Sequence, residues 1–185
     1  LEKSTPFANK EFAELEQFAK KKDGIGKLER WDGAYYSEQL KKSKFNLDEE
    51  ELRPYFSLEN VLNGVFDIAG ELYNIKFTKA PEVEVYHPEV TVYKVTSTAT
   101  NQFVAYVYTD FFPRTTKRAG AWMSSFKSQC KKNGVDERPQ VSVTCNFTKP
   151  TATKPSLLTF GEVTTLFHEF GHALHGMLSD TTYPS

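Results

Sequence analysis

The sequence predicts an α+β fold: helices with a small antiparallel sheet next to one capped, histidine-bearing helix. Three observations carry this expectation. Apolar residues recur at helical spacing up to about Ile75. They then alternate with period two in segments between Glu82 and Asp110, and again from Arg138 to Phe147. Helical spacing returns in "LLTFGEVTTLFHEFGHALHG", Leu157 to Gly176, which carries two histidines four residues apart.

The elements follow in order. Residues 7–22 place Phe7, Phe12, Leu15, Phe18 and Ala19 near helical spacing, and Asp23-Gly24-Ile25-Gly26 ends that helix. "WDGAYYSEQLKKSKF" (31–45) reads as a second helix with an aromatic face. The acidic stretch 47–56 follows, with Pro54 leading into the next element. Over 57–75, Leu58, Val61, Leu62, Val65, Phe66, Ile68, Ala69 and Leu72 form one helical stripe, with Ser57 as N-cap. "EVEVYH" (82–87), "VTVYKVTS" (90–97) and "QFVAYVYTD" (102–110) read as an antiparallel meander with turns at 87–89 and 98–101. "RPQVSVTCNF" (138–147) is a fourth strand, reached through a long loop with some helical content. Within it, "RTTKRAGAW" (114–122) reads as a solvated surface loop anchored by Trp122.

The last helix carries its own start signal. Thr159-Phe160-Gly161-Glu162 fits a capping box, and Leu158 and Val163 are placed for a hydrophobic staple. From there Val163, Leu166, Phe167, Phe170, Ala173, Leu174, Met177 and Leu178 make a broad apolar surface, so the helix should be mostly buried.

The chemistry sits on that helix. Four-residue spacing puts His168 and His172 on one face, about 6 Å apart along the axis. Two imidazoles so placed can share a tetrahedral zinc, and Glu169 between them can act as general base toward a metal-activated water. Burying such a trio without a role would be costly. The metal ligands expected are therefore His168 and His172, the catalytic residue Glu169 and the cofactor Zn2+. His175 lies too far along the axis to share an ion with His168, and is expected in a supporting role. His87, in a turn before Pro88, has no assigned chemistry.

A catalytic zinc site needs a third protein ligand. The metzincin spacing would place Gly and His where this chain has His175 and Leu178, which excludes that class. After His172 the chain contains no Glu, and Asp180 is a poor candidate at or past the helix end. The third ligand is expected beyond Ser185.

"FHEFGHALHGMLS" resembles the zinc helix of the thimet oligopeptidase and peptidyl-dipeptidase family. "RPQVSVTCNFTKP", "DFFPRTTKRAGAWMSSF" and "LRPYFSLENVLNGVFDIAGELYNIKF" also resemble segments of that family, most closely its bacterial dipeptidyl carboxypeptidase branch. The resemblance covers the chain from about Trp31 onward. It implies a mainly α-helical zincin, of which this chain is an α+β fragment: a two-lobed ellipsoid with a deep channel that admits short, unstructured peptides. It implies zinc on His168 and His172, Glu169 as base, and a third ligand Glu farther downstream. The organisation expected is one partial catalytic region over 1–185: helical over 1–80, a small sheet with a long loop over 81–147, and the capped helix over 157–179. The chain lacks an initiator Met and a signal-peptide core, so it is expected to be an internal piece truncated at both ends, and inactive by itself. Zinc peptidases of this kind bind substrate backbone along a sheet edge, which nominates the strand at 140–147. The competing readings are another gluzincin peptidase, for which no G-x-M-E-N motif is present, and a catalytically incompetent peptide-binding module.

The bulk numbers agree with a globular chain: 39% hydrophobic, 25% charged and a formal net charge of -1. That balance predicts neither nucleic-acid nor membrane-surface binding. No apolar run approaches the roughly 20 residues of a membrane span. Cys130 and Cys145 read as ordinary thiols, and the compartment expected is cytoplasmic, with the periplasm as the alternative. A piece of a two-lobed fold should expose apolar surface and be prone to self-association.

Overall fold

The computed structural model describes residues 1–46 and 49–183; the start of the acidic 47–56 stretch lies outside the described residues. The chain divides into two units, Leu1–Glu51 and Leu52–Ser185.

The first unit holds α1 (Thr5–Asp23) and α2 (Gly33–Phe45). Both end on residues in the left-handed region, Gly24 and Asn46, whose amides close the last turns. Its core is small: Leu15, Ala19, Leu28 and Tyr36, with Phe18, Ile25 and Leu40 against it. The Tyr36 hydroxyl donates to Asp23 at 2.9 Å, tying α2 to the end of α1. Phe7, Phe12, Trp31 and Phe45 stay exposed.

The second unit opens at the last residue of the short α3 (Glu49–Leu52) and continues through a 3-10 turn (Arg53–Tyr55). Helix α4 (Leu58–Tyr73) starts where expected, with the Ser57 hydroxyl accepting from the Asn60 amide at 3.3 Å. It ends at Asn74, whose left-handed conformation turns the chain directly into β1 (Ile75–Lys79). Next come β2 (Thr91–Ser97), β3 (Phe103–Asp110), β4 (Trp122–Lys127), β5 (Cys130–Lys132), β6 (Val135–Glu137), β7 (Gln140–Thr144) and α5 (Phe160–Met177).

The sheet order is β1-β2-β3-β7-β4, with β5 and β6 forming a separate hairpin. The expected antiparallel sheet is corrected here: β7 runs parallel to β3 and antiparallel to β4, so the sheet is mixed. A parallel pair needs a crossover, and the segment between Phe111 and Pro139 supplies it. That segment is not a loop with some helix. It contains the edge strand β4 and the β5–β6 hairpin, closed by Asn133-Gly134 with both residues at positive φ. The expected strand at 82–87 is also corrected. Those residues wrap as turns, with Val83 N donating to Ala80 O and Val90 N to His87 O, and β1 takes the place beside β2.

In the second unit one core joins the sheet, α4 and α5. Val95, Ala105, Val107, Val141, Val143 and Cys145 of the sheet, Val65 and Ala69 of α4, and Leu166, Phe170, Ala173 and Met177 of α5 pack together. Phe66 stacks on Phe77 at 4.2 Å between centroids, and both rings lie within 5.7 Å of Phe170. α5 lies against β7, β4 and β3. Among the described residues, no helix is long and apolar enough to cross a membrane.

Candidate metal centre

The N-terminus of α5 forms the expected capping box. The Glu162 amide donates to Thr159 Oγ1 at 3.1 Å, and the Thr159 amide donates to Glu162 Oε2 at 2.8 Å. The residue before the cap, Leu158, is fully buried, and its amide donates to Phe56 O at 2.8 Å. Leu58 N donates to Ser156 O, so the starts of α4 and α5 are sewn together.

The helix is one-sided rather than mostly buried. Val163, Leu166, Phe170, Ala173 and Met177 form the buried face, while Phe167 is 40% exposed. His168 and His172 lie on the exposed side and Glu169 is half-buried at its margin.

The two imidazoles converge. His168 Nε2 and His172 Nε2 lie 3.3 Å apart, with the rings edge-to-face and centroids at 4.9 Å. Two nitrogens bound tetrahedrally at about 2.0–2.1 Å from one zinc would stand about 3.3–3.4 Å apart. The separation of the pair matches that of two nitrogens on a shared ion. The same spacing also lets one Nε2–H donate to the other nitrogen, depending on tautomer.

Among the described residues, no group of three His, Cys, Asp or Glu side chains is placed to hold a metal. Asp180 instead pairs with Lys131 at 2.6 Å. His175 is exposed and lines a separate cavity of about 610 Å³ with Tyr73, Leu174 and Leu178. His87 accepts from the Glu89 amide at Nδ1, as a turn residue does. Cys130 and Cys145 are free and buried. Burial, and then the nearby Glu169 carboxylate, push the Cys145 thiol up to about 12.

Strand β7 is not a sheet edge. Both sides are paired, by β3 and β4, so the segment 140–147 cannot accept an added strand over Gln140–Thr144. The free edge beside α5 is β4.

The segment 114–122 is exposed over Thr115, Thr116 and 118–120, as expected of a surface loop anchored by Trp122, but Arg114 and Lys117 turn inward. Asp110, 2% exposed at the end of β3, accepts two bonds from Arg114 at 2.8 Å, one from Lys117 at 2.9 Å and one from the Tyr86 hydroxyl at 3.0 Å. The Lys117 side chain is only 2% exposed and also donates to Asp110 O and Phe112 O. Burial alone would raise the Asp110 pKa, but these donors outweigh it and hold the carboxyl at about 2. Desolvation and the same carboxylate push the Tyr86 hydroxyl up to about 12. Trp122 is half-buried, with the Arg118 guanidinium 4.4 Å above its ring. Asn146 Nδ2 donates to the carbonyls of Arg118 and Gly120, closing the loop onto the end of β7. The sequence signal for this knot was an acid at a strand end with cations four and seven residues on, which local patterning does not separate from a solvated loop.

Comparison with known proteins places the chain in a family. The family description Peptidase family M3 matches residues 1–185. Oligopeptidase A of Escherichia coli (strain K12) is 40% identical over 178 residues, covering 96% of this chain and 26% of that protein. Dipeptidyl carboxypeptidase of the same organism is 42% identical over 177 residues, covering 95% of this chain and 26% of that protein. Thimet-like oligopeptidase of Dictyostelium discoideum is 36% identical over 191 residues, covering 97% and 28%. The chain thus spans about a quarter of the length of the curated relatives it matches. With a family match across every residue and identities near 40%, the chain belongs to Peptidase family M3.

Proposed function

We propose that this chain is the metal-helix region of a zinc-dependent peptidase of the zincin class, which hydrolyses short peptides as an oligopeptidase or peptidyl-dipeptidase. The observation that carries the reading is the 3.3 Å separation of His168 Nε2 and His172 Nε2, beside a half-buried glutamate on the same helix. His168 and His172 hold the zinc. The third ligand comes from outside the described residues, because a catalytic site needs three protein ligands and no group of three is placed to hold a metal among the described residues.

Bound zinc supplies a Lewis acid that polarises the scissile carbonyl and lowers the pKa of water. Glu169 takes a proton from the attacking water and returns it to the leaving amine nitrogen. The capping box fixes the start of α5, and its buried face locks the helix to the sheet, so both imidazoles and the carboxylate are held on one rigid element. The peptide backbone lies along the free edge of β4, where strand addition would supply main-chain hydrogen bonds without dependence on side chains.

Replacing Glu169 by Gln in the full-length protein tests the reading. Zinc content should be retained and peptide turnover lost by several orders of magnitude. Turnover at the wild-type rate would remove Glu169 from this role.

A further inference from the structure

The far end of α5 is held by a side chain outside the histidine motif. Arg138 lies between β6 and β7, with its side chain 19% exposed. Its Nε donates to Val104 O of β3 at 2.8 Å, and Nη2 donates to Met177 O, the last residue of α5, at 2.9 Å. Nη1 donates to both oxygens of Asp136, at 3.1 and 3.3 Å. One planar guanidinium therefore joins the sheet, the helix end and the β5–β6 hairpin. Met177 O is one of the carbonyls that a helix leaves without an internal partner, and positive charge is favoured there.

The network continues past the helix. Asp136 Oδ1 also accepts from Gln129 Nε2 at 2.8 Å. Gln129, only 2% exposed, accepts from the Thr181 amide at 2.6 Å through Oε1, and from Thr181 Oγ1 at 3.0 Å through its carbonyl. Arg138 thus fixes the end of α5, and through Asp136 and Gln129 the direction in which the chain leaves it. Helix and sheet approach closely at the same place. A Cβ on Gly176 would come within 2.8 Å of Met123 Cε on β4 and 3.2 Å of Val141 Cγ1 on β7. His172 is about 7.5 Å along the helix axis from Met177. A tilt at the helix end is carried by the rigid helix to both histidines.

We propose that Arg138 is a positioning residue for the metal centre: its fork sets the end of α5 against the sheet, and with it the placement of the His168–His172 pair. This rests on the zinc-peptidase reading above.

Zinc affinity of the full-length protein, by competition with a calibrated chelator, tests it without using turnover. It is measured where circular dichroism shows each variant to be folded. Arg138→Ala should lose about 10- to 100-fold in affinity, the range for partners that orient metal ligands. Arg138→Lys keeps the charge but loses the planar fork that spans Val104 O, Met177 O and Asp136, so it should also lose at least about tenfold. His168→Ala is the control and should abolish tight binding. If folded Arg138 variants bind zinc as the wild type does while His168→Ala does not, Arg138 only stabilises the fold and the proposal is overturned alone. If His168→Ala also binds as the wild type does, the zinc reading falls and the proposal with it.

Discussion

Replacing Asp110 by Asn removes the charge at the centre of the loop that leads into β4 while keeping the side-chain shape. In the native chain this carboxylate takes four hydrogen bonds, from Arg114, Lys117 and Tyr86, and Lys117 is 2% exposed. The substitution turns one accepting oxygen into a donor facing cations and leaves the Lys117 ammonium buried beside a neutral group. Breaking a buried pair in this way costs about 3–5 kcal/mol, and the two carbonyl partners that Lys117 keeps place the expected loss at about 3 kcal/mol. The pH dependence gives a second, independent number. The carboxyl falls from 3.8 to about 2 on folding. A depressed folded pKa contributes stability that is complete above the unfolded value and disappears as pH falls through the folded one. The shift corresponds to about 2 kcal/mol before screening, and about 1–2 kcal/mol once solvent at Arg114 is allowed for. Urea unfolding of both chains at a series of pH values reads this directly. The gap between wild type and Asp110→Asn should be full at pH 5 and above, and narrow by about 1–2 kcal/mol between about pH 4 and pH 2. A gap below about 1 kcal/mol at neutral pH, or one unchanged on acidification, would refute the buried knot.

Two further outcomes follow from the same structure. Thr159→Ala removes the acceptor for the Glu162 amide and should cost about 1 kcal/mol in unfolding free energy; a loss indistinguishable from zero would mean the capping box contributes nothing. In a Cys130→Ser background, Cys145 should react with a disulfide reagent at pH 8 only as fast as the chain opens. A thiol pKa of about 12 leaves about one molecule in ten thousand ionised, so labelling of folded chain within seconds would contradict its burial.

The parts of the fold legible in the sequence were those with a local physical signature. Ser57 and Thr159-x-x-Glu162 announce helix starts through side chains that satisfy amides three residues away, and both do so in the structure. The alternation at 90–97, 102–110 and 138–147 marks strands, and β2, β3 and β7 lie within those segments. "EVEVYH" alternates equally well, yet Tyr86 turns toward Asp110 and Phe126 rather than joining a ladder. Strand pairing is a long-range property, which is also why the parallel β3–β7 contact escaped a reading built on adjacent segments. The β5–β6 hairpin was legible and was missed: Asn133-Gly134 is a strong two-residue turn signal. At the candidate site, His168, Glu169 and His172 followed from helical spacing. Arg138 did not, since its three partners come from β3, α5 and the hairpin and share no sequence neighbourhood.

The metal pair can be observed directly by zinc K-edge X-ray absorption on the zinc-loaded full-length protein and its His172→Ala variant. Two imidazole nitrogens at about 2.0–2.1 Å are expected in the wild type, and fewer in the zinc that the variant still holds weakly at saturating metal. An unchanged imidazole count in His172→Ala would show that the convergence of His168 and His172 is not a zinc site.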